Sequence, residues 1–250
     1  MTQTRVAVVM PALNAEATLE RTIADLPPGR DLDLILVDDA SSDRTVEIAF
    51  GLGIHVVRHM ETLGYGANQK TCYQTALERG AEVVVMLHPD YQYDARLLGV
   101  MVDIIETGVC DIVLGNRIRR RSDALRNGMP VWKYFINRTS TFFENFVLGQ
   151  TLGEFHSGFR AYSRKALTTI PFMANSDDFV FDQEVLIQAT FFGLRLGDIP
   201  VPVRYMSEAS SINFRRSIRY GISTIFCLVA YFLAKIGVRS DPRFVSCIEH

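Results

Sequence analysis

The sequence predicts an α/β fold with a mostly parallel sheet that is flanked by helices. Short apolar segments alternate with helical segments of about a dozen residues, which is the pattern of repeated βαβ units. The segment Val83–Leu87 is apolar throughout, as expected for a strand that helices cover on both faces. Polar clusters follow several strands, and such sheets bind ligands beyond the carboxyl ends of their strands. We therefore expect a binding site at that edge.

The first half of the chain contains five strands in this prediction. The first helix ends at Pro27-Pro28-Gly29, and the second follows Ser41, Ser42 and Asp43, which can cap its first turn. The predicted strands are Val6–Met10, Leu34–Val37, Ile54–Val57, Val83–Leu87 and Asp111–Leu114. The predicted helices are Glu16–Leu26, Thr45–Gly51, Ala67–Arg79 and Ala95–Thr107.

The pattern changes after Arg117. The basic run Arg119–Arg121 and the polar residues up to Gly128 predict a mobile loop, either solvated or a lid over an anionic ligand. We then expect a helix at Val131–Leu148, strands at Phe155–Tyr162 and Ile199–Tyr205, and a helix at Phe181–Phe192 between them. This organisation predicts one domain at residues 1–212 and a C-terminal helix and tail at 213–250.

Composition narrows the class of protein. The net charge is −2 over 250 residues, which argues against a nucleic-acid partner. The four cysteines, Cys72, Cys110, Cys227 and Cys247, lie far apart and form no Cys-x-x-Cys pair. This spacing indicates neither a zinc site nor a disulfide framework and is typical of a reducing compartment. Met1–Val9 is too short for a signal peptide, so we expect a cytoplasmic protein.

The apolar segment Ile222–Ala234 has two interpretations. It is shorter than the roughly 20 residues that a helix needs to span a bilayer. Basic residues precede and follow it, so it can lie on a membrane surface, which would make the protein peripheral at the cytoplasmic face. It can equally be a core helix or the interface of a homo-oligomer.

A candidate metal site follows the strand Val83–Leu87. His88, Asp90 and Gln92 occupy alternate positions, so in extended backbone their side chains share one face. A carboxylate and an amide oxygen suit a hard divalent cation, which in turn suits phosphate oxygens. The alternative is a polar turn in which Asp and Pro serve only turn geometry.

Two further acidic clusters are candidate site residues. Asp38 and Asp39 end a strand, and one of them is expected to accept bonds from backbone amides or from a nucleoside. Asp182 and Glu184 open a helix, where acidic residues interact favourably with the helix dipole. Either of these two could instead act as a general base toward an acceptor.

Three arginines near strand ends are candidates for binding phosphate. Arg117, Arg160 and Arg204 carry planar, permanently charged donors that suit a diphosphate, although any one of them could form a surface salt bridge. Gly64-Tyr65-Gly66 is not a dinucleotide fingerprint, because it lacks the third glycine and does not follow the first strand. The sequence also lacks a Walker A loop, which argues against nicotinamide and P-loop enzymes.

Taken together in this order, the motifs resemble the family-two glycosyltransferases of GT-A fold, and among them the polyprenyl-phosphate (dolichol-phosphate-type) sugar transferases. The resemblance runs from Val6 to about Phe214. It rests on Pro11–Glu16, Val37–Thr45, Gly64–Asn68, Gly115–Arg117, Ser157–Tyr162, Phe181–Glu184 and Val201–Arg204.

The resemblance implies inverting sugar transfer from a UDP- or GDP-sugar, with Mg2+ or Mn2+ as cofactor and a polyprenyl phosphate as acceptor. The implied nucleotide-binding residues are Pro11, Ala12, Leu13, Glu16, Asp39, Gly66, Lys70 and Asp90. The implied metal ligands are Asp90 and Gln92, with His88 as a further candidate. The implied phosphate and acceptor residues are Arg117, Arg160, Arg204 and Ser211. The implied catalytic residues are Asp182, Glu184 and Arg117.

One residue departs from the family pattern. The first Asp of the family's Asp-x-Asp-x-Gln pattern is His88 here, and imidazole is a poorer partner for Mg2+ than carboxylate. Two alternatives therefore stay open, namely transfer to a sugar or lipid hydroxyl and a catalytically silent nucleotide-sugar-binding protein. A sugar-nucleotide pyrophosphorylase would need a glycine-rich loop after the first strand, where Pro11-Ala12-Leu13-Asn14 stands instead.

Overall fold

A computed structural model describes residues 4–118, 130–204, 214–238 and 240–245. The predicted loop at Arg119–Arg121 and the candidate acceptor residue Ser211 lie outside these described residues, as does Cys247. The predicted strand Ile199–Tyr205 and the predicted C-terminal segment 213–250 fall within them only in part, and the other predicted elements and site residues lie within them.

The described residues form one seven-stranded sheet with the strand order β3-β2-β1-β4-β6-β5-β7. The strands are β1 Val6–Ala12, β2 Leu32–Asp38, β3 His55–Arg58, β4 Val83–Met86, β5 Ile112–Asn116, β6 Arg160–Ser163 and β7 Leu196–Pro200. All neighbouring strands are parallel except that β6 runs antiparallel to both β4 and β5. The predicted α/β class with a mostly parallel sheet is confirmed.

Eight α-helices flank the sheet in the described part of the chain. They are α1 Leu19–Ala24, α2 Thr45–Gly51, α3 Tyr65–Glu78, α4 Leu98–Glu106, α5 Val131–Leu148, α6 Arg164–Thr169, α7 Phe181–Phe191 and α8 Phe214–Lys235. Helices α2 and α5 begin and end at the predicted residues. The sequence prediction missed α6, a helix of six residues whose first turn is capped by Ser163, which accepts a hydrogen bond from the Ala166 amide.

Two strand predictions were wrong in their bounds. Only the end of the predicted strand Phe155–Tyr162 is a strand, because the amide of Gly158 donates to the Tyr93 hydroxyl and not to a neighbouring strand. The predicted strand Ile199–Tyr205 is instead Leu196–Pro200. It ends where it does because Pro200 and Pro202 lack the amide hydrogen that a longer ladder would need.

The sheet is covered on both faces, which explains its apolar strands. One core contains Tyr73 of α3 and Phe181 of α7, and Tyr231 of α8 packs in the same cluster. The opposite core contains Leu19 of α1 and Met101 of α4. Since α8 shares a core with the sheet, the C-terminal helix packs directly on the domain at 1–212. The proposed boundary at 213 stays a prediction.

Candidate active site

The carboxyl edge of the sheet holds unusual backbone geometry. Asn14, Ala40 and Tyr91 follow β1, β2 and β4, and each has a left-handed φ between 54° and 63°. Left-handed backbone is costly for residues other than glycine, and such strain concentrates at functional sites. The strain therefore marks the same edge as the polar clusters of the sequence.

The loops after β1 and β2 are hydrogen-bonded to each other. The Ser41 hydroxyl accepts from the Asn14 amide at 2.8 Å, and Asn14 Oδ1 accepts from the Ser42 amide at 2.9 Å. Glu16, predicted to contact the nucleotide, accepts from the Arg44 amide at 2.9 Å and lies exposed outside the cleft. These bonds fix one end of the site before any ligand binds.

Asp39 organises the loop that begins α3. Its buried carboxylate accepts from the amides of Leu63 and Gly64 at 2.9 and 3.1 Å. His59 Nδ1 lies 2.8 Å from the same carboxylate. Asp39 therefore lines the site as a fixed acceptor, with its oxygens bound to the walls of the cleft.

A cleft of about 830 Å³ opens at this edge. Of the predicted site residues, it is lined by Pro11, Ala12, Leu13, Asp39, His88 and Asp90. Lining residues that the sequence prediction missed include Tyr65, Thr62, Leu63, Asn68, Ser176–Val180, Arg219, Tyr220 and Ser223. The wall at Ser176–Val180 precedes α7 and follows no strand, so the strand-end pattern could not indicate it.

Two predicted nucleotide-binding residues hold this wall in place. The Gly66 amide donates to the Asp177 carbonyl at 2.8 Å, and a Cβ on Gly66 would lie 2.4 Å from the Ser176 carbonyl oxygen. Lys70 Nζ donates to Asp177 Oδ1 at 2.7 Å. Position 66 therefore requires glycine, because the backbone of the wall lies too close for a side chain. The Lys70 ammonium forms its ion pair with the wall residue Asp177.

The end of β4 presents Asp90 to the cleft. Asp90 Oδ1 accepts from the Gln92 amide at 3.1 Å, and the Gln92 carbonyl accepts from the Arg204 amide at 2.9 Å. No cluster of three His, Cys, Asp or Glu side chains suited to a metal occurs among the described residues. One cleft carboxylate still fits a cation that takes most of its ligands from substrate phosphates and water, as Mg2+ does.

Arg204 lies behind this turn. Its guanidinium stacks 4.2 Å from the centre of the Tyr91 ring, and Nη2 donates to Asp25 at 3.1 Å. Within the described part of the chain, its buried Nη1 has no hydrogen-bond partner. Arg204 therefore supports the turn that carries Asp90.

His88 and Asp182 meet through a tyrosine. The Tyr65 hydroxyl donates to Asp182 Oδ2 at 2.7 Å and lies 3.1 Å from His88 Nε2. Gln69 Nε2 donates to Asp182 Oδ1 at 3.1 Å. Burial, reinforced by the Asp182 charge, raises the pKa of Tyr65 well above its ordinary value, so the phenol keeps its proton.

Arg160 and Glu184 are committed to interior partners. Arg160 is fully buried, donates to the carbonyls of Phe155, Ser157 and Asp182, and lies 3.6 Å from Asp182 Oδ1. Burial alone would lower the pKa of Arg160, but the Asp182 charge together with Tyr162 and Tyr73 raises that pKa above its ordinary value. Glu184 accepts from the Ser176 amide at 2.7 Å and from Arg243 at 2.8 Å.

Arg117 is committed in the same way. Its backbone amide and Nε donate to the fully buried Glu154 at 2.8 Å, and Nη2 donates to the His156 carbonyl at 2.7 Å. Burial alone would raise the pKa of Glu154, but the charge and hydrogen bonds of Arg117 lower it below its ordinary value. The structure thus brings Pro11–Leu13, Asp39, His88 and Asp90 together in the cleft and places Arg117, Arg160 and Glu184 behind it.

This fold, with its cleft at the carboxyl edge, defines a GT-A glycosyltransferase architecture. The model of the family described as Glycosyl transferase family 2 matches residues 7–170. The chain belongs to this family and is a glycosyltransferase, which confirms the resemblance seen in the sequence. The matched segment spans six of the seven strands and the loops that follow β1, β2 and β4.

Relatives with assigned activities cover most of the chain. A dolichyl-phosphate hexose transferase of Haloferax volcanii is 30% identical over 209 residues, which are 83% of this chain and 86% of that protein. A polyprenol monophosphomannose synthase of Mycolicibacterium smegmatis is 24% identical over 85% of this chain and 84% of its own. Among solved structures, glucosyl-3-phosphoglycerate synthase from Mycobacterium tuberculosis with Mn2+, UDP and glucosyl-3-phosphoglycerate is 22% identical. It has a TM-score of 0.64, with 95% of this chain and 82% of that chain covered, which shows a shared fold.

Proposed function

We propose that this glycosyltransferase moves a sugar from a UDP- or GDP-sugar to a polyprenyl phosphate. The lipid phosphate oxygen attacks the anomeric carbon, the bond from that carbon to the diphosphate breaks, and the nucleoside diphosphate leaves with inversion. The observation that carries the proposal is that both acidic acceptor-side candidates, Asp182 and Glu184, already accept hydrogen bonds from the protein at both carboxylate oxygens. The names of two relatives with broad coverage, a dolichyl-phosphate hexose transferase and a polyprenol monophosphomannose synthase, agree with this acceptor.

The donor nucleotide occupies the cleft beside β1 and β2 in this proposal. Pro11 and Leu13 supply apolar surface for the nucleoside, and Asp39 presents a fixed carboxylate. The exposed fraction of Leu13 is 52%, which is high for a large apolar side chain at a sheet edge. A bound base would cover part of that surface.

The diphosphate lies near Asp90 in this proposal. Asp90 would hold Mg2+ or Mn2+, and the bound cation neutralises charge on the departing diphosphate. The Mn2+- or Mg2+-bound state of the M. tuberculosis neighbours supports this choice of cofactor.

An ionised lipid phosphate removes the need for a general base. A hydroxyl acceptor would have to lose its proton to a carboxylate in the transition state. Asp182 accepts hydrogen bonds from Tyr65 and Gln69, and Glu184 accepts them from the Ser176 amide and Arg243. Neither carboxylate therefore has a free oxygen in the cleft to act as a base. The arrangement favours a phosphate acceptor over the alternative hydroxyl.

Two exposed helix faces support contact with a membrane surface. On α5 the polarity is inverted, because Asn137, Thr141 and Glu144 are buried whereas Phe142 and Phe146 are exposed. On α8 an exposed stripe runs along the side opposite the buried face. The stripe contains Ile222, Ile225, Phe226, Val229 and Phe232. In the described part of the chain no helix has both the length and the apolar composition to cross a bilayer.

A peripheral position on the membrane would bring the cleft to its lipid substrate. Arg219 and Lys235 lie exposed near the two ends of the α8 stripe, where they could meet anionic headgroups. Flotation with vesicles of anionic and neutral lipid tests this part of the proposal, and we expect binding to anionic vesicles that weakens with salt. A salt-independent dimer in sedimentation, without vesicle binding, would assign the same stripe to a homo-oligomer interface.

The transfer assay tests the function itself. UDP- and GDP-hexoses would be incubated with polyprenyl phosphate and with Mn2+, Mg2+ or chelator, and both nucleoside diphosphate and glycolipid would be quantified. We expect one nucleotide series to be consumed, and only when both lipid phosphate and cation are present. Donor binding without turnover on any acceptor would instead support the catalytically silent alternative.

A further inference from the structure

His88 sits in a pocket that is built for an imidazole ring. The ring stacks on Tyr65 with centroids 5.6 Å apart and planes at 16°, and Tyr93 lies on another side at 6.5 Å. A Cβ on Gly158 would come within 2.5 Å of His88 Nε2, so only glycine leaves room for the ring. Gly158 is itself held by its amide hydrogen bond to the Tyr93 hydroxyl.

The hydrogen bonds decide which ring nitrogen of His88 carries hydrogen. The Tyr65 hydroxyl has one hydrogen, and it donates that hydrogen to the Asp182 carboxylate, which can only accept. The 3.1 Å contact with His88 is then a hydrogen bond only if His88 Nε2–H donates to the phenol oxygen. Nε2 therefore has no free lone pair for a metal ion. Only Nδ1 of His88 could then act as a metal ligand.

These contacts join three separate elements at the cleft. His88 follows β4, Tyr65 begins α3, and Asp182 lies in the first turn of α7. The Tyr65 ring also stacks on Phe179 of the cleft wall at 4.7 Å. An ordered chain from His88 through Tyr65 to Asp182 would therefore fix the donor side and the acceptor side of the cleft relative to each other.

We propose that His88 is a positioning residue that acts on Asp182 through the Tyr65 hydroxyl, and that metal binding in this chain depends on Asp90 without His88. The inference rests on the proposed sugar transfer for its kinetic consequence only. No proton moves along the chain. Its effect is geometric, because the two hydrogen bonds hold Tyr65 and Asp182 in one arrangement as the acceptor phosphate approaches the sugar.

Substitution of His88 by Gln or by Asn distinguishes a positioning role from a metal-binding role. Gln places an amide NH2 near the position of Nε2, whereas Asn reaches only the position of Nδ1. Under the proposal, His88→Gln keeps kcat within about threefold of wild type, and His88→Asn lowers it ~10–100-fold. Tyr65→Phe, which keeps the ring and removes the hydroxyl, should lower kcat by a similar factor.

Combining the variants tests whether the residues act as one unit. The double variant His88→Asn/Tyr65→Phe should be no more than about threefold slower than either single variant, because each breaks the same connection. The Mg2+ concentration for half-maximal rate should stay within about threefold in every variant. Multiplicative losses in the double variant, or a rise of about tenfold or more in that concentration for both His88→Gln and His88→Asn, would overturn the proposal.

A spectroscopic measurement decides the matter without turnover. Long-range 1H–15N spectra of 15N-histidine protein, at fixed pH with Mg2+ and UDP or GDP, report the tautomer of each of the five histidines. The signal lost in His88→Gln is that of His88. We expect the Nε2–H tautomer in wild type and a shift toward mixed tautomers in Tyr65→Phe. An Nδ1–H tautomer in wild type would overturn the proposal even if no acceptor is ever glycosylated, and the tautomer can be read whether or not sugar transfer is observed.

Discussion

The two sides of the cleft are built by different means. On the side that we propose for the donor, at Pro11–Asn14 and Asp38–Asp43, short loops are fixed by hydrogen bonds between side chains and backbone amides. On the side that we propose for the acceptor, at 153–160 and the start of α7, buried charges form ion pairs. The donor side is thus held by hydrogen bonds from backbone amides to side chains, and the acceptor side by ion pairs in the interior.

This difference teaches where mutations should act. A donor-side change alters one loop and the ligand that rests on it, so affinity should suffer more than folding. An acceptor-side change leaves a buried charge without its partner, so folding should suffer first.

The largest loss is expected for Arg160→Met. The substitution leaves the Asp182 charge and three carbonyls without the guanidinium, and we expect the free energy of unfolding to fall by roughly 3–5 kcal/mol. Urea unfolding measures it. Arg96→Met removes an exposed arginine from its pair with Asp94 and is the control, with stability close to wild type. Equal stability of the two variants would contradict the contrast between buried and exposed charges.

Asp39→Asn should separate binding from folding. The amide cannot accept all the bonds from Leu63, Gly64 and His59, and we expect UDP or GDP to bind ~10–100-fold more weakly in calorimetry. Glu16→Gln is the matched control, because Glu16 lies outside the cleft on the Arg44 amide. A larger loss in Glu16→Gln than in Asp39→Asn would reverse our assignment of the nucleotide site.

Glu154 should make acceptor-side stability depend on pH. Its pKa is lowered in the folded state, so its ionised form stabilises the fold above the ordinary pKa of about 4.3, and this stabilisation is lost as pH falls through the folded value. The difference in unfolding free energy between wild type and Glu154→Gln should be constant above pH of about 6 and shrink below pH of about 4. A difference that grows on acidification would have the wrong sign for a lowered pKa.

The smallest effect is expected at Ala40. Its φ of 63° is unfavourable for alanine, so Ala40→Gly should change stability by no more than about 1 kcal/mol, toward greater stability. Ala40→Val should destabilise, because a β-branched residue tolerates that backbone poorly. Thermal unfolding of the pair measures the sign, and a more stable Val variant would argue against a strained donor-side edge.

Sequence reasoning succeeded where the signal was local. The apolar strands predicted the sheet, and their ends predicted that Asp39 and Asp90 would lie in one cleft. It could not indicate the partners of Arg117, Arg160 and Glu184. These partners are Glu154, Asp182 and Arg243, and they lie 37, 22 and 59 positions away in the chain. The antiparallel direction of β6 was not predicted for a related reason, because it depends on the route of the chain between β5 and β6.

Position near a strand end made each of these arginines a candidate for binding phosphate, with a salt bridge as the alternative. Strand-end arginines suit phosphate, but a buried carboxylate competes for the same guanidinium. Glu154 is buried entirely, and nothing in its sequence neighbourhood distinguishes it from an exposed glutamate. Burial therefore had to come from the fold.

The central claim is that the acceptor arrives as an ionised phosphate. The most direct test offers the enzyme polyprenyl phosphate and the corresponding polyprenol together, with the accepted nucleotide sugar and Mn2+, and identifies the products by mass spectrometry. We expect the sugar on the phosphate alone, as an acid-labile phosphodiester with inverted anomeric configuration. A glycoside of the free alcohol would contradict the account and would require an uncommitted base in the cleft.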